Sequence, residues 1–305
     1  MFGVLPAIKP QGLTSRDVVN HVAKIIRPVR VGHTGTLDPM ATGVLLLAVG
    51  YATRLMEFSH LESKEYVADF WLGKSSDTLD AEGVVTSLDS PARISQLQLS
   101  AELPGWTGDI QQTPPRYSAV HVDGKRAYEL ARRGKEFSLP PRTVHIDELQ
   151  LTHCDGEQFG LRIVCGTGTY IRSLGSDIAQ ALGSDAVMFQ LTRTRIGAIG
   201  VEQCIALEQL TDRGAIARSL LPPQSMLTAL EKVVLDEHQC ARIRNGIPIE
   251  LEGKGTGPIL AVDERQEIVA ILAQSGRRYR SLRVFHTTHD TVQPTKSSSP
   301  QSPES

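Results

Sequence analysis

Apolar residues at Val18, Val22, Ile25 and Ile26 recur at helical spacing. Thr14-Ser15-Arg16-Asp17 precedes them in the form of a capping box, and Pro28 interrupts the run, so the pattern predicts one amphipathic helix. The period then changes. Val44 to Val49 is an unbroken apolar run and predicts a buried strand. "YATRLMEFSHL" predicts a short helix, "KEYVADFWLG" a strand rich in aromatic and branched residues, and "DTLDAEG" a polar loop. Asp123-Gly124 predicts a turn between extended residues and a helix. "RTVHIDELQLTHCDGEQFGLRIVCG" predicts two strands joined at Asp155-Gly156. Ile171, Leu174, Ile178 and Leu182 then share one helical face, and "AVMFQLTRTRIGAIG" returns to strand.

Strands and helices intermingle through hairpin-type connections. The expected fold is therefore α+β, with a mixed, largely antiparallel sheet flanked by helices. Pro222-Pro223 marks a break. The chain divides into a first domain over 1–225 and a small β-rich module over 231–285, with short strands around Asn245-Gly246 and "EGKGTG". The tail, 286–305, is Thr, Ser, Pro and Gln; it buries too little apolar surface to offset its ordering entropy and is expected to be disordered.

Composition narrows the function classes. Across 305 residues, 40% are hydrophobic and 22% charged, the mix of a globular protein. No apolar run approaches the roughly 20 residues of a membrane span. The start, "MFGVLPAIKPQG", lacks the form of a signal peptide, so a cytoplasmic protein with no membrane partner is expected. Cys154, Cys165, Cys204 and Cys240 form no CxxC pair and read as reduced thiols. No histidine pair stands beside an acid at helical spacing, and His286 and His289 fall in the polar tail, so no metal site is expected. Gly166-Thr167-Gly168 has Ile171 where a dinucleotide loop needs a third glycine, and Gly35 to Gly43 lacks the lysine of a phosphate-cradling loop, so no nucleotide cofactor is expected. The net charge of −2 argues neither for nor against nucleic acid. Arg116, Lys125, Arg126, Arg132, Arg133, Lys135 and Arg142 outnumber their acidic neighbours, and Arg277, Arg278, Arg280 and Arg283 form a second cluster. Such clusters either track phosphates or solvate a surface. No pattern demands a dimer, and a monomer is expected.

One aspartate has an unusual setting. Asp38 stands before Pro39 in "GHTGTLDPMATGVL" and runs straight into the buried strand. Turn chemistry alone accounts for an Asp-Pro pair. Here, though, Gly32, Gly35 and Gly43 allow close backbone approach, and an anchored strand is how a reactive side chain is held.

This stretch is similar to the signature of the TruB family, the tRNA pseudouridine synthases that act on the T-loop uridine. "KPQGLTSRDVV", "KEYVADFWLGKSSDTLDAEG", "PPRYSAVHVDGKRAYELARRG" and "CGTGTYIRSLGSDIAQALG" resemble the family's other blocks, in order, from about residue 5 to 210. The resemblance implies that Asp38 is the catalytic aspartate and that His33 helps take the target base out of its stack. It implies that Tyr66 lies against the flipped uracil, that Tyr170 contacts substrate, that Arg172 pairs with Asp38, and that Leu191 is an apolar contact to the base. It implies a pseudouridine synthase-like catalytic domain, a PUA-like RNA-binding C-terminal module, the tRNA T-stem-loop as partner, and no cofactor. Two departures stand out. Thr192-Arg193 follows Leu191 where the family has a basic pair, and the C-terminal module is short for a PUA domain.

The residue types suit that reaction. Glycoside hydrolysis ordinarily uses two carboxylates, one for the leaving group and one for water. In uridine isomerisation the leaving group is itself the next nucleophile, so one ionised carboxylate suffices. Two other readings stay open at this point. One is an RNA-binding or tRNA-folding protein whose catalysis is secondary. The other is a nucleoside hydrolase, which would need a second acid; Asp77, Asp80 and Glu82 are the nearest group and read as a polar loop. Without the resemblance, Tyr66, Tyr170 and Leu191 would read as core, Arg172 as a helix-end surface residue, and His33 as solvated.

Overall fold

The computed structural model describes residues 1–122 and 124–285, which belong to two compact units, Met1–Ala229 and the chain from Leu230 onward. The division falls a few residues beyond Pro222-Pro223. The expectation of disorder over 286–305 lies outside the described residues, as does Asp123 of the predicted turn.

In the first unit, β1 (Gly3–Lys9) leads to α1 (Ser15–Ile26). Thr14 caps this helix: its hydroxyl accepts from the Asp17 amide at 3.1 Å, and the Thr14 amide donates to the Asp17 carboxylate at 2.9 Å. β2 (Val31–His33), β3 (Thr42–Val49) and β4 (Lys64–Leu72) follow. A hairpin of β5 (Lys74–Ser76) and β6 (Val85–Ser87) frames the polar loop. Next come α2 (Gln96–Glu102), β7 (Gly108–Gln112), a small hairpin of β8 (His121–Val122) and β9 (Lys125–Arg126), and α3 (Ala127–Arg132). The long pair β10 (Arg142–Cys154) and β11 (Gln158–Cys165) precedes α4 (Ile171–Ala181). β12 (Ala186–Ile196), β13 (Ile199–Gly200), β14 (Ile205–Ala206) and α5 (Arg213–Arg218) complete the unit.

Ten of these strands form one sheet in the order β14-β1-β3-β12-β4-β11-β10-β7, with β2 beside β3 and β13 beside β12. Only β1–β14 and β12–β3 pair in parallel, so the sheet is mixed and largely antiparallel, as expected. Helix α1 buries Val18, Val19, Val22 and Ile26 with Leu5, Leu45 and Leu47. Helix α4 buries Leu174 and Ile178 with Phe70 and Phe159, whose rings stack 4.9 Å apart. Gly175 lets α4 lie directly on β4: a Cβ there would sit 2.0 Å from the Phe70 ring. The helix tolerates the ~1 kcal/mol propensity cost of a mid-helix glycine in return for that approach, which holds Arg172 one turn earlier.

The second unit contains β15 (Glu231–Val234), α6 (Glu237–Arg244), β16 (Ile259–Val262), β17 (Ile268–Ser275) and β18 (Arg278–Val284), with sheet order β15-β16-β17-β18. Its core holds Leu235, Ile243, Val269, Leu272 and Tyr279.

Two predicted elements need correction. Asn245-Gly246 is not a strand turn; Asn245 caps the C-terminus of α6, because Asn-Gly supplies the backbone freedom a helix end needs as readily as a hairpin does. "YATRLMEFSHL" forms two short 3₁₀ pieces, Gly50–Leu55 and Ser59–Leu61, in place of one helix. There Thr53 and Ser59 hydroxyls bond the carbonyls of Gly50 and Met56, competing with regular α bonding.

Candidate functional site

Asp38 occupies the first position of a tight turn. Its carbonyl accepts from the Ala41 amide at 3.1 Å, with Pro39 setting the next dihedral. The turn is held from both sides. Before it, the Leu37 amide donates to the Ser15 hydroxyl at 2.9 Å, and that hydroxyl sits 3.2 Å from the Leu37 carbonyl, so the start of α1 grips the loop. After it, the Pro39 carbonyl accepts from the Gly12 amide at 2.8 Å and from the Lys9 ammonium at 3.1 Å. Lys9 also donates to the Pro10 and Leu13 carbonyls and is wholly buried. Burial pushes its amine down to about 8, with the Asp38 carboxylate opposing. The Asp38 side chain keeps 37% of its surface and opens into a cavity of about 1000 Å³.

Five of the six residues singled out from the sequence line that cavity: Asp38, Tyr66, Tyr170, Arg172 and Leu191. They come from four separate segments: the Asp38 turn, β4, the N-cap and first turn of α4, and β12. Tyr66 packs against the core that Ala68 and Phe70 continue. Its burial raises the phenol above its ordinary pKa, and the Arg193 guanidinium opposes this. Tyr170 is gripped by Gln112: its amide donates to Oε1 at 2.8 Å, and its carbonyl accepts from Nε2 at 3.0 Å. His33 stands beside the cavity on β2, one residue before the cavity-lining Thr34. Its Nδ1 is buried without a hydrogen-bond partner, and burial, with Arg16 and Arg193 nearby, lowers its pKa.

Arg172 does not reserve itself for Asp38. Its Nη1 lies 2.8 Å from the Asp80 carboxylate, while its Nη2 is 3.7 Å from that of Asp38. It also donates to the Thr78 carbonyl at 3.1 Å and the Tyr117 carbonyl at 2.7 Å. Asp80 is itself held by the Thr78 hydroxyl at 2.6 Å and the Glu82 amide at 3.1 Å. The "DTLDAEG" loop is thus not merely a solvated turn: Asp80 is 1% exposed and supplies the anchor for Arg172. Composition reads that loop as polar because a carboxylate's burial depends on a guanidinium 92 residues away.

Sequence reasoning missed four residues. Lys9 and Asp80 lie inside quoted motifs, so those motifs carried the only signal. Gln112 carried none. Arg193, noted only as a departure, is 1% exposed and lines the cavity; its side chain donates to the Val44 carbonyl at 2.8 Å and the Gly35 carbonyl at 3.1 Å. From the basic 116–142 segment, Tyr117, Tyr128 and Arg132 line the cavity rim. Among the described residues no group of three or more His, Cys, Asp or Glu side chains could hold a metal ion. The arrangement therefore offers the accessible Asp38 carboxylate with a guanidinium beside it, aromatic and aliphatic walls, and a rim that carries Tyr117, Tyr128 and Arg132 together with the exposed acids Asp77 and Glu82.

Comparisons with known proteins agree with the motifs. The family model described as TruB family pseudouridylate synthase (N terminal domain) matches residues 23–171. The tRNA pseudouridine synthase B of Syntrophomonas wolfei is 42% identical over 264 residues, covering 85% of this chain and 88% of its own. The protein of that name from Bacillus cereus is 38% identical over 277 residues, covering 88% and 90%. Among solved structures, a Cbf5-Nop10-Gar1 complex contains a chain that superposes with a TM-score of 0.73 at 26% identity, over 93% of this chain and 85% of that one. A chain of an H/ACA RNP bound to a substrate RNA containing 2′-deoxyuridine superposes at 0.72 and 23% identity, over 93% and 85%, which speaks to the fold. No helix among the described residues is long and apolar enough to cross a membrane.

Proposed function

The chain belongs to the TruB family of pseudouridylate synthases, and from that premise we propose that it converts the T-loop uridine of tRNA to pseudouridine. The observation that carries this reading is the half-exposed Asp38 carboxylate at a cavity walled by Tyr66, Tyr170 and Leu191. A cavity of about 1000 Å³ has room for a nucleotide that has left its helix. Extraction costs a few kcal/mol, and one aromatic stack returns roughly 1–3 kcal/mol. Tyr66 and Tyr170 are the candidates for that stack, and His33, beside the cavity, is the candidate to fill the place the base vacates.

The reaction breaks N1–C1′, turns the uracil and forms C5–C1′. A proton leaves C5 and one is gained at N1, so atoms balance within the substrate and no cofactor is required. Asp38 acts as the carboxylate, and Arg172, pinned by Asp80, places a fixed positive charge beside it without a proton of its own to give. The apolar walls keep water from the reacting carbon. A single chain supplies the whole constellation, so a monomer suffices, and the cytoplasm is where such a substrate is met. The second unit joins the reading as a PUA-like RNA-binding module.

The test is direct. Incubated with unmodified tRNA, the protein should place pseudouridine at the T-loop uridine, mapped chemically at single-nucleotide resolution. Product at other uridines only, or none, overturns the proposal.

A further inference from the structure

Arg193 sits where three parts of the site meet. In the sheet it is registered with Tyr66 on β4 and with Gly43 on β3. The contact with β3 is backbone to backbone: a Cβ at Gly43, whose φ is +106°, would lie 2.2 Å from the Arg193 carbonyl oxygen. The guanidinium lies 6.0 Å from the Tyr66 ring centroid. Its hydrogen bonds go to two neutral carbonyls, Val44 and Gly35. Among the described residues it forms no ion pair with a carboxylate. Two residues before Tyr66 on β4, Lys64, also cavity-lining and 5% exposed, bonds to the Glu62 and His60 carbonyls and the Thr167 hydroxyl, again without a carboxylate.

A buried, unpaired cation is costly. Arg193 and Lys64 both stand near Tyr66 with no carboxylate among the described residues in an ion pair to either. Arg172, by contrast, already has its carboxylates. The carboxylates that line the cavity, Asp38, Asp77, Asp80 and Glu82, are not paired with Arg193 or Lys64, and the reaction develops a further negative charge beside them. When N1–C1′ breaks, the bonding pair stays with the uracil and spreads over N1, O2 and O4. If Asp38 adds to C6 first, the pair goes to C5 and O4. If a 2′ proton is removed, the ring again departs with the pair. Each route puts negative charge on the uracil until C5 bonds to C1′; the later loss of the C5 proton and gain of one at N1 is charge-neutral.

Resting on the pseudouridine-synthase reading, we infer that Arg193 is a further catalytic residue, the fixed cation that stabilises the negative charge developing on the detached uracil. It transfers no proton and forms no bond. A fixed charge aimed at transition-state charge in a dry cavity needs no reorganisation at the moment of reaction. Its place in the fold, held by the Gly35 and Val44 carbonyls, is what fixes it.

The experiment compares wild type, Arg193→Gln and Arg193→Lys in single-turnover reactions on tRNA carrying either uridine or 5-fluorouridine at the target. Fluorine withdraws electrons and stabilises the ring anion by itself. Cleavage is read as loss of the N1-linked nucleoside. R193Q, folded by its melting temperature and binding tRNA within threefold of wild type, is expected to lose about 100-fold or more on uridine and under about tenfold on 5-fluorouridine. R193K, which keeps the charge, is expected to stay within about tenfold on uridine. An equal loss on both substrates, or R193Q within threefold of wild type on uridine, overturns the inference. Should R193Q fail to fold, R193K decides: retention within tenfold supports the inference, and a 100-fold loss equal on both substrates overturns it. Failure of wild type to form product on uridine would overturn the underlying reading instead, so the two failures are distinct.

Discussion

Arg172 and Asp80 form a buried ion pair, 2.8 Å between Nη1 and the carboxylate, and this pair places the other guanidinium nitrogen 3.7 Å from Asp38. The β5–β6 loop and the start of α4 thereby act on the turn before β3. Asp80 is a positioning residue for Arg172, and the pair is expected to behave as a coupled unit.

Asp80→Asn should destabilise the protein by about 3 kcal/mol, since it strips a buried guanidinium of its charge partner. Both tryptophans, Trp71 and Trp106, lie in the first unit, so urea denaturation followed by their fluorescence reports on it. Asp80→Leu combined with Arg172→Met should cost less than D80N alone. A coupling energy below about 0.5 kcal/mol in the full double-mutant cycle would contradict the pairing.

Asp38→Asn keeps the shape of the turn and removes the charge. Turnover is expected to fall by at least about 10³-fold while tRNA affinity stays within threefold. Filter binding beside single-turnover assays separates the two. Retained turnover would remove Asp38 from the catalytic role and would favour the reading of an RNA-folding protein only if tRNA refolding also persisted.

Gly175→Ala tests the approach of α4 to β4. Alanine gains helix propensity but brings a methyl to 2.0 Å from the Phe70 ring. Overpacking should win, with a net loss of about 1–3 kcal/mol, measured by the same unfolding curves. Phe70→Leu in the same chain should recover part of it. A G175A protein as stable as wild type would mean the helix has slack to move.

Lys9 gives a pH signature. Its amine is pushed down to about 8 in the fold, against 10.5 in a model lysine. Below about 8 both states carry the proton and Lys9 adds no slope. From there to 10.5 the unfolded chain holds more protons than the folded one, so stability rises with pH on this group's account. The difference in unfolding free energy between wild type and Lys9→Met should therefore increase across that window and stay flat below it. A flat difference throughout, or one that falls, would show that the buried amine does not titrate early.

Much of this molecule was legible in its residues. Thr14 and Asp17 announced the helix cap, the apolar run after Asp38 announced β3, and the order of the motifs announced Asp38, Tyr66, Tyr170 and Arg172 as one site. Asn245-Gly246 was misread because the same dipeptide satisfies two kinds of chain reversal, and the choice belongs to the core formed by Leu235, Ile243 and Tyr279.

What the amino-acid order determined on its own were local matters: periods, caps, and an Asp-Pro turn followed by a strand too apolar to face water. Only the tertiary structure decided where the charges went. Lys9, Lys64, Asp80 and Arg193 look like surface residues in any window of sequence, yet all four are buried. Their burial depends on carbonyls, hydroxyls and counter-charges, many brought from distant segments. A charge has no period, so its desolvation is settled only once the sheet has assembled the atoms that solvate it in place of water.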